Sequence, residues 1–136
     1  IKKVAAHGIL NGLTYTPKKS YETITNLSTI FSGDIKPTEN FMLVDIDSKS
    51  PVDMIACQKM TFEKDSIPLY AYYYPSSLAD RTEITFNATV IVLNAFENPV
   101  LIDPLSGEVF EAEEPILSNY GFCEYKLPIK EYPLIL

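Results

Sequence analysis

The chain has 136 residues, the size of one ordinary domain, and its 46% apolar and 21% charged residues are typical of a folded globular protein. Its net charge of −7 and its single arginine, Arg81, argue against nucleic-acid binding, which needs clustered cations. No apolar run approaches the ~20 residues of a membrane-spanning helix, so no membrane span is expected either.

A helix is predicted near the start of the chain, over residues 17–32. Its apolar residues recur at intervals of three and four, which places them on one face: Tyr21, Ile24, Leu27, Ile30 and Phe31. The opposite face suits solvent, with Glu22, Thr23, Thr25, Asn26 and Thr29. Thr16 is expected to cap the start, with Pro17 at the first helical position, while Gly33 and Pro37 supply the stop. The apolar face needs a packing partner, part of which we expect to lie outside this sequence.

After Pro37 the pattern changes to strands and turns. Residues 84–92 alternate apolar and polar side chains, and residues 52–62 repeat this period of two with an interruption at Gln58. Further short strands are predicted at residues 41–46, 69–74, 100–102, 108–111, 122–127 and 133–136. About eight short strands with no intervening helix predict a mainly β fold, an antiparallel β-sandwich of jelly-roll type with one N-terminal α-helix. We place the domain boundary between residues 1–36 and the sandwich of residues 37–136.

Two segments resemble a known family. Residues 12–21, GLTYTPKKSY, resemble the closing segment of TIM-barrel glycoside hydrolases, in which a Pro-Lys-x-Ser/Ala-Tyr element commonly opens the last barrel helix. Residues 98–109, NPVLIDPLSGEV, followed by YPLIL at residues 132–136, are similar to the final hairpin of the β-sandwich that follows such barrels. The resemblance implies that residues 1–36 are a remnant of the barrel end and that the catalytic acids lie upstream, in the barrel.

The expected function is therefore that of a non-catalytic accessory sandwich, which packs against and stabilises the catalytic barrel of a glycoside hydrolase. No catalytic residue, cofactor or metal ligand is expected in this chain. Asp103 opens a DPLSG turn, and the sequence identifies no second titratable partner for it. Asp45 begins an EF-hand-like spacing, but Ser50 and Ala56 stand where a calcium loop needs glycine and glutamate. His7 is the only histidine, which makes a zinc site or a catalytic triad improbable.

A tyrosine cluster offers an alternative function. On a strand, Tyr70, Tyr72 and Tyr74 share one face, and an exposed face of this kind stacks on sugar rings, as in a carbohydrate-binding module. The competing interpretation is packing, either in the sandwich core or in an interdomain contact with the barrel. Cys57 and Cys123 have no metal-type or redox-type spacing; buried thiols are favoured, with a disulfide as the alternative.

Overall fold

The computed structural model describes residues 10, 14–47, 57–75, 85–93 and 95–136, which form one α-helix and ten β-strands. The helix α1 is Lys19–Ile30, and the strands are β1 Ile35–Thr38, β2 Met42–Ile46, β3 Gln58–Lys64, β4 Ile67–Tyr73, β5 Thr85–Val92, β6 Val100–Ile102, β7 Val109–Glu111, β8 Ile116–Leu117, β9 Cys123–Lys130 and β10 Leu134–Ile135. They pair into a six-stranded sheet, β1-β3-β4-β10-β6-β7, and a four-stranded sheet, β2-β5-β9-β8. All the pairings are antiparallel. The prediction of a mainly β sandwich with one N-terminal helix is confirmed, and its jelly-roll character stays a prediction.

The core lies between the two sheets and follows the period of two. Along β9 the residues Cys123, Tyr125, Leu127 and Ile129 are buried, while the residues between them are half-buried or exposed. β2 repeats this alternation. On β5, Ala88, Val90 and Val92 face the core, but Thr89 on the other face is buried as well, and the strand pairs with β9 over eight residues. The rest of the core comes from β4, β6, β10 and the residues beside them: Cys57, Tyr70, Tyr72, Leu101, Leu134 and Leu136.

Two strands were missed by the sequence analysis. β1 carries Lys36 and Pro37, which hide its periodicity, yet it pairs with β3 along four residues. β8 is two residues long and both are exposed, so it has no apolar pattern. The predicted strand over residues 52–62 is described only from Cys57 onward, where β3 begins at Gln58; residues 52–56 lie outside the described residues. The predicted boundary after residue 36 falls inside β1 and stays a prediction.

The helix is shorter than predicted at both ends. Lys18, and not Thr16, is the N-cap residue, and no side chain bonds the first free N–H groups. Pro17 instead forms a β-bridge with Leu10, and the Thr16 hydroxyl shares a 2.7 Å hydrogen bond with that of Thr14. At the C-terminal end α1 stops at Ile30, two residues before the predicted end, and Gly33 follows with a positive φ of 88°. Within the described part of the chain, no helix is long and apolar enough to cross a membrane.

Only the C-terminal half of α1 packs against the sandwich, and the expected further partner of its apolar face stays a prediction. The ring of Phe31, just after α1, packs edge-on against Phe62 of β3, with the centroids 5.2 Å apart. The side-chain amide of Asn26 donates to the carbonyl of Pro104, and the Lys64 ammonium donates to the carbonyls of Thr29 and Ile30. These contacts hold the C-terminal half of the helix to the six-stranded sheet. Tyr21 and Ile24 stay 41% and 47% exposed, and no residue of α1 is fully buried.

The two sheets also meet directly at one corner, where β4 approaches β9. The Tyr72 hydroxyl donates to the carbonyl of Pro128 at 3.0 Å, and the Tyr74 N–H donates to the carbonyl of Lys130 at 2.9 Å. β8 pairs only with the first two residues of β9, so these bonds satisfy carbonyls on the side of β9 that has no neighbouring strand. The sandwich is therefore hydrogen-bonded, and not only packed, across this corner.

Candidate functional site

The tyrosine strand lies in the core. Tyr70 is 4% exposed and Tyr72 is fully buried, and both point between the sheets. Tyr74 is half-buried and packs edge-on against Phe86, with the centroids 6.1 Å apart. Of the two interpretations of the cluster, this geometry matches packing in the core. A sugar ring has no free face to stack on at Tyr70 or Tyr72.

Hydroxyl groups give these buried rings defined partners. The Tyr72 hydroxyl donates to the Pro128 carbonyl, and burial raises the pKa of Tyr72 far above its ordinary value. On the facing sheet, the Tyr125 hydroxyl accepts a 3.1 Å hydrogen bond from the Phe96 N–H, while the two rings stack. Tyrosine is thus used in this core for its polar end as well as for its volume.

The one buried carboxylate among the described residues is Asp103, which is 2% exposed. One of its oxygens accepts from the N–H groups of Leu105 and Ser106, at 2.9 and 3.3 Å, which fixes the predicted DPLSG turn. The other oxygen accepts from the Lys130 ammonium at 2.8 Å and from the Tyr132 hydroxyl at 2.9 Å. Lys130 also donates to the Tyr132 oxygen at 2.7 Å, which closes a triangle of three polar groups. We call these three residues the Asp103 cluster.

The cluster joins the two sheets. Asp103 directly follows β6 of the six-stranded sheet, while Lys130 ends β9 of the four-stranded sheet and Tyr132 lies between β9 and β10. Neither partner is predictable from the sequence, because Lys130 and Tyr132 lie 27 and 29 positions away from Asp103 and share no motif with it. The one signal in the sequence is the DPLSG turn, which locates Asp103 but says nothing of its partners.

The electrostatics of the cluster stabilise the charged forms. Burial alone would raise the pKa of Asp103, but the hydrogen bonds from Lys130, Tyr132, Ser106 and Leu105 outweigh it and hold the pKa below its ordinary value. The bonds to Asp103 and Tyr132 raise the pKa of Lys130 in turn. A carboxylate with a lowered pKa is a poor general base, and a lysine with a raised pKa is a poor nucleophile. The arrangement therefore suits a structural role better than proton transfer.

The other residues considered from the sequence are placed as follows. Asp45 is exposed on β2, and His7, Ser50 and Ala56 lie outside the described residues. No cluster of three potential metal ligands occurs in the ranges that the structure describes. Cys57 and Cys123 are free, buried thiols, and burial raises the pKa of Cys57 against the opposing charge of Lys59.

Two exposed surfaces have unusual chemistry. The first is the outer side of α1, the side away from the six-stranded sheet, which carries Tyr21, Ile24, Thr25 and Ser28. The second, which the sequence analysis did not identify, is a groove of about 280 Å³ beside the start of β2, which we call the aromatic groove. Its residues are Phe41, Leu43, Ile91, Tyr120, Phe122 and Glu124, with Ser118 at the rim.

No protein-family model, curated protein or solved structure matches this chain. Its function is therefore inferred from the chemistry of its own residues and from the resemblance of its two end segments.

Proposed function

We propose that this chain is a non-catalytic accessory β-sandwich of a glycoside hydrolase, and that it packs against and stabilises the catalytic barrel. The observation that carries the proposal is the outer side of α1. From Thr23 to Ser32 the chain has ten consecutive residues without a charge, although helical faces exposed to water normally carry charged side chains. Ile24 and Tyr21, on the same helix, are about half exposed.

The threonines of α1 make this side still less polar. The hydroxyls of Thr23, Thr25 and Thr29 each donate to the carbonyl four residues earlier, at 3.1, 2.9 and 2.9 Å. A hydroxyl that is bonded to its own helix offers no donor to water or to a partner. The outer side around Ile24 therefore carries aliphatic, aromatic and hydroxyl side chains without a charge, as the depletion of charge in the centre of a protein–protein interface requires.

The helix also needs support that the described sandwich does not supply. Its sequence is rich in threonine, serine and isoleucine, which have only modest helix propensity, and it has no N-terminal side-chain cap. A twelve-residue helix of this kind is marginal in water and depends on tertiary packing. Contact between the outer side of α1 and the barrel would supply this tertiary packing. The resemblance of residues 12–21 to the end of such barrels supports the barrel as the partner.

The test uses the protein encoded by the complete gene. Ile24→Lys places a charge on the outer side of α1, and we expect it to lower the temperature at which glycosidase activity is lost by several degrees. The same substitution should leave the melting temperature of the 136-residue chain alone within about 2 °C, because Ile24 is half exposed there. Ile67→Lys is the matched control, since Ile67 is 62% exposed on β4 and should have no effect in either protein.

Three results would contradict the proposal. The complete gene could encode no barrel, the full-length protein could keep its thermal profile with Ile24→Lys, or the 136-residue chain could hydrolyse aryl glycosides by itself. The alternative of a carbohydrate-binding module that uses Tyr70, Tyr72 and Tyr74 requires exposed rings, and the burial of these side chains disfavours it.

A further inference from the structure

We infer that the aromatic groove binds a short, neutral saccharide on the outer face of the four-stranded sheet. This site is separate from the tyrosine strand and from α1, and it does not depend on the proposed link to a glycoside hydrolase. It is formed by three aromatic side chains, Phe41, Tyr120 and Phe122, over an aliphatic floor.

The rings leave an open surface that a ligand can cover. Phe41 and Phe122 contact each other with their centroids 5.1 Å apart and their planes inclined by 45°. Phe41 remains 43% exposed despite this contact, and Tyr120 is 88% exposed. Leu43 and Ile91 are half-buried cross-strand partners in the β2–β5 pairing and lie beneath the rings. Water therefore covers this apolar surface in the free protein. Release of that water when a ligand binds is favourable.

The exposure of Tyr120 is held by a rigid turn. The N–H groups of Tyr120 and Phe122 both donate to the Ser118 hydroxyl, at 3.4 and 3.0 Å. The Ser118 N–H donates to the Phe122 carbonyl, and the Gly121 N–H donates to the Ser118 carbonyl. Gly121 has a φ of 81°, which suits glycine and makes the tight turn possible. These four hydrogen bonds order the backbone of the turn, so the entropy lost on binding is confined to the Tyr120 side chain.

The size and surroundings of the groove favour a small ligand over a protein. Its volume of about 280 Å³ is near the lower limit of small-molecule sites. The next cross-strand row on the same sheet face, Asp45, Thr89 and Lys126, ends in an exposed charge on each side. The centre of a protein interface is depleted of such charges.

The chemistry of the groove selects a neutral ligand with one apolar face. The Glu124 carboxylate lines the groove and the chain carries a net charge of −7, so an anion would be repelled. A sugar ring has C–H groups on its faces, which pack on aromatic rings, and hydroxyls at its edge, which can donate to a carboxylate. Glu124 lines the groove together with Phe41 and Tyr120, so it supplies an acceptor beside the rings for the hydroxyls of such a ligand.

The test is affinity gel electrophoresis of the 136-residue chain in separate gels that contain hydroxyethyl cellulose, xylan, galactomannan or soluble starch. We expect retardation in at least one of them. Tyr120→Ala should weaken that binding about five- to tenfold, because it removes the stacking ring, while Tyr120→Phe should keep most of it. Tyr15→Ala is the matched control, since Tyr15 is another exposed tyrosine, at 76%, and should change nothing.

Because Tyr120 is almost fully exposed, its replacement should leave the fold intact, which circular dichroism checks. The inference is overturned if none of the four polysaccharides retards the chain, or if Tyr120→Ala is retarded as strongly as the parent. It is also overturned if the chain sediments as a dimer that Tyr120→Ala dissociates, because the groove would then be an interface between copies.

Discussion

Replacement of Asp103 by asparagine tests how the two sheets are joined. The amide has the shape of the carboxylate, so the oxygen that accepts from Leu105 and Ser106 can be kept. The other position becomes an NH₂ group, which faces the donors of Lys130 and Tyr132 and can accept from neither. Asp103→Asn therefore breaks the inter-sheet part of the Asp103 cluster while leaving the turn in place.

The magnitude follows from the burial of the two partners. Removal of one partner from a buried ion pair costs about 3–5 kcal/mol, and hydrogen bonds to charged groups contribute about 1.5–3 kcal/mol each. The Asp103 side chain is 3% exposed, but that of Lys130 is 27% exposed and recovers part of its hydration when its partner is lost. We expect a loss of roughly 2–3 kcal/mol in the free energy of unfolding at pH 7, or roughly 8–12 °C in melting temperature.

Urea denaturation followed by circular dichroism, repeated from pH 2 to pH 7, measures this effect. Since the pKa of folded Asp103 is lowered, its stabilisation is complete above the ordinary value of 3.8 and is lost as the pH falls through the lower, folded value. The parent chain should lose more stability in acid than Asp103→Asn does. Asp34→Asn is the control, because the 3.2 Å Asp34–Lys36 pair is exposed and its loss should cost less than about 0.5 kcal/mol. Equal stability of Asp103→Asn and the parent at pH 7, or identical acid profiles, would refute this role for the cluster.

Three further substitutions test single contacts by thermal unfolding. Tyr72→Phe should lower the free energy of unfolding by about 1 kcal/mol, because the Pro128 carbonyl loses its donor, whereas Tyr72→Ala should lower it by about 3–5 kcal/mol through the cavity. Unchanged stability of Tyr72→Phe would contradict a role for the hydroxyl. Gly107→Ala should lower the free energy of unfolding more than Gly121→Ala does. Both glycines have a positive φ, but only at Gly107 would the new Cβ lie 3.0 Å from the side-chain amide of Asn26. A smaller loss of stability at Gly107 than at Gly121 would contradict this contact. Lys64→Met removes the donor to the last carbonyls of α1, so it should lower the free energy of unfolding by about 1 kcal/mol and reduce the helical ellipticity. An unchanged ellipticity would contradict a role for Lys64 in stabilising the end of the helix.

The alternation of apolar residues predicted most of the sandwich because the two longest strands, β5 and β9, each place a row of apolar side chains in the core. In β9 and β5 the period of two leaves little choice of orientation, since a shift by one residue would expose a row of core side chains. The short edge strands lack this constraint: β8 has only two residues, and β1 contains a proline. The start of α1 was misplaced because Pro17 and Thr16 are used by a bridge and a local hydroxyl pair, which propensity rules do not register.

The candidate sites were harder to predict than the fold. The aromatic groove combines Phe41, from before β2, with Tyr120 and Phe122, from before β9, and their proximity depends on which strands are neighbours. The Asp103 cluster depends in the same way on the two sheets being stacked. Alternation correctly placed Tyr70 and Tyr72 on one face, but it could not say whether that face was buried, because both faces of a tyrosine-rich strand are apolar enough to be the inner one.

The corner between β4 and β9 also bears on how this protein resists aggregation. An eight-residue strand with an unpaired edge is normally a template on which a second chain can add a strand. Along β9 that edge is blocked: Pro128 has no N–H to offer, its carbonyl is already bonded to the Tyr72 hydroxyl, and the next outward carbonyl, of Lys130, is bonded to Tyr74. A tyrosine that fills the core thus also covers part of the edge of the facing sheet, next to the exposed charge of Lys126 on the same strand.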